Sequence, residues 1–222
     1  MRAWTTGLLF AVASLCAARP ATAGEVDLVA LTQETQKMFQ NAGEITLAWW
    51  MPEEFWKASL AQQKQLSTDQ ADGFLKVMRP YIVIVVVKGK IGLTSTFESE
   101  EFARANTKVI DAQGNTYSPL ADADVDATAK AVLGMFKPML ANMAGAMGQN
   151  MHFLVFSAKA ADGKQVVDTT QKGQLKVTVA DKEFKWRLPL DSALPKQTCA
   201  KCKEDCKGSW EFCPWCGTKL QK

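Results

Sequence analysis

Between Gly24 and Thr198 the chain contains no cysteine. A fold over that stretch has no disulfide to staple it, so a buried apolar core must hold it together. Histidine is almost missing as well: His152 is the only one in 222 residues. That excludes the His-Glu-x-x-His zinc site of metalloproteases, and neither a Gly-x-Ser-x-Gly elbow nor a phosphate-binding loop is present. No apolar run suits a membrane span, the N-terminal one being too short for the roughly 20 residues needed. Tyr81 to Val87 is strand-length, and the helical stretch after Asp122 is interrupted by Lys130, Lys137 and Asn142. Charge of one sign is not in excess either. With 26 basic and 23 acidic residues the formal charge is +3, which gives no reason to expect nucleic acid or an acidic membrane as partner.

What is present begins with Met1-Arg2, an apolar run from Ala3 to Ala18, and the small residues Ala21-Thr22-Ala23. This is the layout of a bacterial-type secretory signal peptide over residues 1–23, with a mature chain starting near Gly24. Leu15 stands where a lipoprotein signal needs a different residue, so Cys16 is expected to leave with the peptide. Loss of Arg2 and Arg19 lowers the formal charge to +1. The expected place of work is the periplasm or the medium.

Along the mature chain, Leu28, Leu31, Met38 and Phe39 predict an amphipathic helix over Val26 to Gln40, and Glu44 to Met51 predicts a strand. Pro52 suits a helix start, with Glu53 and Glu54 in the first turn. Ser67 and Gln70 form a capping-box pattern for a helix through Met78, which Pro80 stops. The β-branched run Tyr81 to Val87 predicts a strand buried on both faces. Gly89 and Gly92 predict a turn into Leu93 to Glu98, and Thr107 to Tyr117 a hairpin. Asp122 to Gln149 reads as the longest helix. Strands follow at His152 to Ala158, Gln174 to Val179 and Phe184 to Leu188. Strands grouped as hairpins predict an α+β body over residues 24–194 with a largely antiparallel sheet. Residues 194–198 read as a linker into a separate module, 195–222.

All five mature cysteines fall in that module: Cys199-x-x-Cys202, Cys206, and Cys213-Pro214-Trp215-Cys216-Gly217. Two Cys-x-x-Cys turns each aim two sulfurs at one ion, the tetrahedral thiolate environment that zinc takes. Gly217 follows the second pair, where a tight knuckle needs a positive φ. A segment of about 24 residues is too small for a stable apolar core, and metal binding can supply the missing free energy. The run from Cys199-x-x-Cys202 through Phe212-Cys213-Pro214-Trp215-Cys216-Gly217 to Leu220 resembles the zinc-ribbon family. The resemblance implies Cys199, Cys202, Cys213 and Cys216 as zinc ligands and a structural or adaptor role; Cys206 receives no role from it.

The alternative for the same segment is redox chemistry. Cys213-Pro214-Trp215-Cys216 also resembles the dithiol of thioredoxin-like oxidoreductases, which sits at a helix N-terminus. Gly217 to Lys222 are too few for that helix. A second alternative is Cu(I) handling by Met135, Met139, Met143, Met147 and Met151 beside His152. Four-residue spacing drifts about 40° per step around a helix, so core packing is the expectation. Asp122-x-Asp124-x-Asp126 opens like a calcium loop but has Ala127 and Leu133 where glycine and glutamate belong, so first-turn acids are expected instead. Trp49, Trp50, Phe55 and Trp56 are expected in the core, with Trp49 and Trp50 on opposite strand faces. The sequence thus reads as an exported, non-enzymatic protein with a protein partner and a zinc ribbon for docking or assembly.

Overall fold

The computed structural model describes residues 26–63 and 66–220. The expected signal peptide, residues 1–23, lies outside the described residues. The first helix, α1, covers only Leu28–Thr35, because Gln36–Asn41 form strand β1. Asp27 starts α1 by accepting the amides of Val29 and Ala30 at 3.0 and 3.1 Å. The helix predicted over Val26 to Gln40 is therefore corrected in its last third. Ala42 and Gly43 take positive φ (46° and 83°), a two-residue hairpin turn that lays β1 along β2, Glu44–Met51. Pairing across that turn overrides the helical spacing.

Helix α2 (Glu53–Ala61) begins after Pro52, and α3 (Thr68–Met78) carries the complete capping box. In it Gln70 Oε1 accepts the Ser67 amide at 2.9 Å, and Ser67 Oγ accepts the Gln70 amide at 3.3 Å. Strand β3 runs on from Tyr81 to Lys90, and β4 is Thr96–Phe97. Gly89 is thus a strand residue and not part of a turn: a side chain there would meet the Thr96 carbonyl at 2.3 Å, so glycine permits β4 to approach. A short helix that the sequence reading did not resolve, α4 (Glu100–Asn106), is capped by Ser99. Then come β5 (Thr107–Ile110), β6 (Thr116–Tyr117), α5 (Ala127–Gln149), β7 (His152–Ser157), β8 (Gly173–Val179) and β9 (Lys182–Leu188). Helix α5 starts later than predicted. Asp122–Asp124 make a separate 3-10 turn, and Asp126 caps the helix by accepting the Thr128 and Ala129 amides. Pro138 lies inside α5, and the break in helical geometry falls at Gly145.

The fold is α+β, and every strand pair among the described residues is antiparallel. One sheet is ordered β1-β2-β3, with β7 and β4 sharing the far edge of β3; the other is ordered β6-β5-β8-β9. Trp49 and Trp50 do point to opposite faces of β2. Trp50 meets Trp186 of β9 with ring centroids 6.1 Å apart. Trp49 meets Phe55 of α2 at 5.2 Å, and ring contacts continue through Trp56 to Phe74 of α3 and Phe136 of α5. The first sheet therefore carries helices on one face and the second sheet on the other. Each such ring pair adds about 0.5–1.5 kcal/mol beyond its area burial. The Trp186 indole N–H donates to the Thr35 carbonyl at 3.0 Å, which fixes the end of α1 to β9.

The hairpin of β5 and β6 turns on Asp111, a buried carboxylate. It accepts the amides of Gln113 and Asn115, the Asn115 side-chain amide and the Tyr117 hydroxyl, all at 2.8–2.9 Å. Burial pushes this carboxyl up, but the four donors outweigh it and hold the group below its ordinary value. Its contribution is therefore present above the unfolded-state carboxylate pKa of about 3.9 and is lost as pH falls through the lower folded value. Asp111→Ala is expected to cost about 2–3 kcal/mol in urea unfolding at neutral pH, and the deficit should shrink below about pH 4. A deficit that is the same at acid and neutral pH would contradict the assignment.

Candidate metal centre

The last described segment is held by two short strands, β10 (Gln197–Thr198) and β11 (Asp205–Cys206), paired antiparallel. The chain between them forms the first knuckle, and residues after Glu211 form the second. Both are built by the same backbone pattern. In the first, the Cys199 carbonyl accepts the Lys203 amide and the Cys199 amide donates to the Glu204 carbonyl, both at 2.9 Å. In the second, the Cys213 carbonyl accepts the Gly217 amide at 2.9 Å and the Cys213 amide donates to the Thr218 carbonyl at 2.8 Å. The residue four places after each leading cysteine takes a left-handed φ, 63° at Lys203 and 72° at Gly217. Glycine at 217 was legible for this reason; its counterpart Lys203 was not, because lysine carries no such signal.

The two turns bring four sulfurs together. Cys199 Sγ lies 3.6 Å from Cys216 Sγ, and Cys202 Sγ 3.5 Å from Cys213 Sγ. All four ligand atoms lie within 4.8 Å of one another. A tetrahedral thiolate site with bonds of about 2.3 Å needs sulfur separations of about 3.8 Å, so the cluster has the dimensions of a metal site. Among the described residues no other group of His, Cys, Asp or Glu converges in this way. Cys199 and Cys213 are buried, and with Cys206 and Leu220 they form a small cluster separate from the body's core.

The electrostatics favour a cation at the centre. The Thr218 hydroxyl and amide hold the Cys216 thiol down to about 6, with the hydroxyl 3.3 Å from the sulfur. Burial raises Cys213, but the amides of Cys216 and Trp215 outweigh it and lower the group. At Cys202 the Glu204 amide lowers the thiol, yet burial and the neighbouring sulfurs prevail and push it up to about 12. Neighbouring thiols cannot all ionise without a positive charge between them, and a bound divalent cation removes that conflict. Thr218 is a supporting residue that sequence reasoning missed; a hydroxyl two places after a ligating cysteine was its signal. Cys206 stands outside the four. It is buried, donates to the Glu204 carbonyl at 3.6 Å, and is pushed up to about 11 by burial and by the Cys213 sulfur.

Polar contacts seat this segment on the body. Glu34 of α1 accepts the Asp191 and Ser192 amides at 2.8 and 2.9 Å, and Asp191 in turn holds Lys207 at 2.7 Å and the Ser209 hydroxyl. Lys172 pairs with Glu211. Gly208 lies so close to the linker that a side chain there would meet Leu194 and Pro195 at 2.5 Å.

The remaining sequence candidates are placed apart from this centre. No helix follows Cys213 among the described residues; Pro214 to Cys216 form a turn. Met135 is exposed whereas Met151 is buried in the core, and the side chains of Met139 and Met143 lie outside those described. Trp49, Trp50, Phe55 and Trp56 are core residues. Among the described residues no helix is long and apolar enough to cross a membrane. Compared with known protein families, curated proteins and solved structures, the chain matches none of them.

Serine replacement of Cys199, Cys202, Cys213 or Cys216 is expected to reduce retained metal to roughly a tenth of the wild-type content or less, whereas Cys206→Ser keeps it. Plasma mass spectrometry on the purified variants checks this. Gly217→Ala meets no atom within 4 Å, so its cost is conformational alone, about 1 kcal/mol. Lys203→Gly should relieve a similar strain, and the rate of metal loss to a chelator should rise in the first variant and fall in the second.

Proposed function

We propose that the four cysteines hold zinc in a ribbon of the kind their spacing resembles, and that this ribbon serves an exported, non-enzymatic protein as a docking or assembly element. The observation that carries the reading is the closed set of four sulfurs within 4.8 Å of one another. Thiolate donors in tetrahedral array select a soft or borderline ion, and zinc brings no redox reactivity of its own. Four protein ligands leave no position for water or substrate, which makes the site structural. Metal binding supplies about 10–16 kcal/mol to segments of this kind, enough to order a module with so small an apolar cluster.

Docking is supported by what surrounds the second knuckle. Phe212 and Trp215 are both more than half exposed, on a turn that the metal would make rigid. Aromatic side chains are enriched at the centres of protein interfaces, so a protein partner is the expected one. The body over 24–194 and the module over 195–222 are taken as separate units because their buried clusters are separate. Export to the periplasm or medium rests on residues 1–23.

Protein recovered from the export compartment without added zinc should contain one zinc per chain, five thiols after denaturation, and an N-terminus near Gly24. Zinc-free material with two disulfides would remove the metal reading, and exported chains that keep Met1 would remove cleavage. Phe212→Ala with Trp215→Ala should leave zinc content intact while abolishing cross-links to the partner; unchanged cross-links would sink the docking role.

A further inference from the structure

A cleft of about 320 Å³ lies at one end of the first sheet, within the roughly 300–1,000 Å³ range of small-molecule sites. The end of β2, the first turn of α2, the α3–β3 junction and the segment after β7 build it. Its apolar wall includes Trp50, Trp56 and Ile82, each almost fully buried, so its shape is fixed by the core. Its polar wall is unevenly charged. Glu53 is already paired, with Lys57 at 2.8 Å and Arg79 at 3.0 Å. Glu54 and Asp168 have no such cation in contact among the described residues. Glu54 Oε1 accepts the Thr169 hydroxyl at 2.7 Å, while its Oε2 is buried with no partner among the described residues. Asp168 Oδ1 accepts the amide and hydroxyl of Thr170 at 2.9 and 2.7 Å.

A carboxylate oxygen withheld from water and left without a donor is costly, and a fold keeps such a group where something supplies the missing donor. Two acceptor-only carboxylates in a cleft that also has an apolar wall define the complement: hydrogen-bond donors, positive charge, and an apolar body. From this geometry we infer that the cleft binds a small organic cation, a primary ammonium on an aromatic or aliphatic body. The ammonium is held by Glu54 and Asp168, after a small rotation that turns Glu54 Oε2 to the cleft. The body lies against the apolar wall that Trp50, Trp56 and Ile82 back. An anion is disfavoured by the same two carboxylates, and a neutral isostere forgoes the charge-assisted bonds.

The test uses the full mature protein with its metal in place and 2-phenylethylamine as the probe, with 2-phenylethanol and phenylacetate as neutral and anionic counterparts. Tryptophan fluorescence reports on the cleft and calorimetry on affinity. The amine should bind saturably with a Kd of about 1 mM or tighter, the alcohol at least about tenfold more weakly. Glu54→Gln preserves an acceptor for Thr169 and should weaken amine binding about tenfold while alcohol binding is unchanged. Asp168→Asn, on an exposed loop, should weaken it in the same direction and decides the matter if Glu54→Gln does not fold. Glu101→Gln, an exposed acid on α4, should have no effect. Equal binding of amine and alcohol, no saturation by about 10 mM amine, or undiminished amine binding in the folded carboxylate variants would each overturn the inference.

Discussion

The constraint on which the rest of the body depends is the need to cover β3 on both faces. Ile82 to Val87 is an unbroken apolar run whose side chains alternate between two sides, and every one of them is buried. Neither face of the sheet can then meet water. The helices α2, α3 and α5 close one side, through the ring contacts that begin at Trp49. The second sheet closes the other, where Trp50 meets Trp186. Without cysteines in this region, the stabilisation comes from that double coverage, in line with the dominance of apolar burial in folding.

Where structure follows from neighbours in the chain, the sequence was readable. The capping box at Ser67 and Gln70, the β2 limits and the paired Cys-x-x-Cys turns all depend on residues a few places apart. Where it depends on partners far along the chain, the reading failed. Met38 and Phe39 continue a helical spacing from Leu28 and Leu31, yet they pair with Leu47 and Thr46 in a hairpin. Gly89 looks like a turn residue, but what calls for glycine is the approach of Thr96. The acid spacing before α5 suggests its first turn, yet Asp126 is its cap, and Asp122 reaches it from a separate 3-10 turn through Lys130. The four sulfurs were legible because spacing alone brings each pair together. The cleft was not, because its walls come from segments near residues 50, 80 and 168.

The metal centre and the cleft share a neighbourhood through ordinary polar contacts. Thr169, which holds Glu54, also accepts the Leu190 amide at 2.9 Å through its carbonyl. The next residue, Asp191, holds Lys207 and Ser209 of the cysteine segment. Lys172, at the end of the same loop, pairs with Glu211. One side of the cleft is thus anchored partly to a module whose order the metal would provide.

The cysteine-free body has a consequence for damage. From Gly24 onward, all the sulfur that can form disulfides sits within the cysteine module, joined to the body by hydrogen bonds and ion pairs. An oxidant that attacks the thiols cannot scramble the core, because the core offers no thiol for a misplaced bridge. Disulfide scrambling is thereby confined to the segment whose four sulfurs could hold a metal ion, and the body's core takes no part in it.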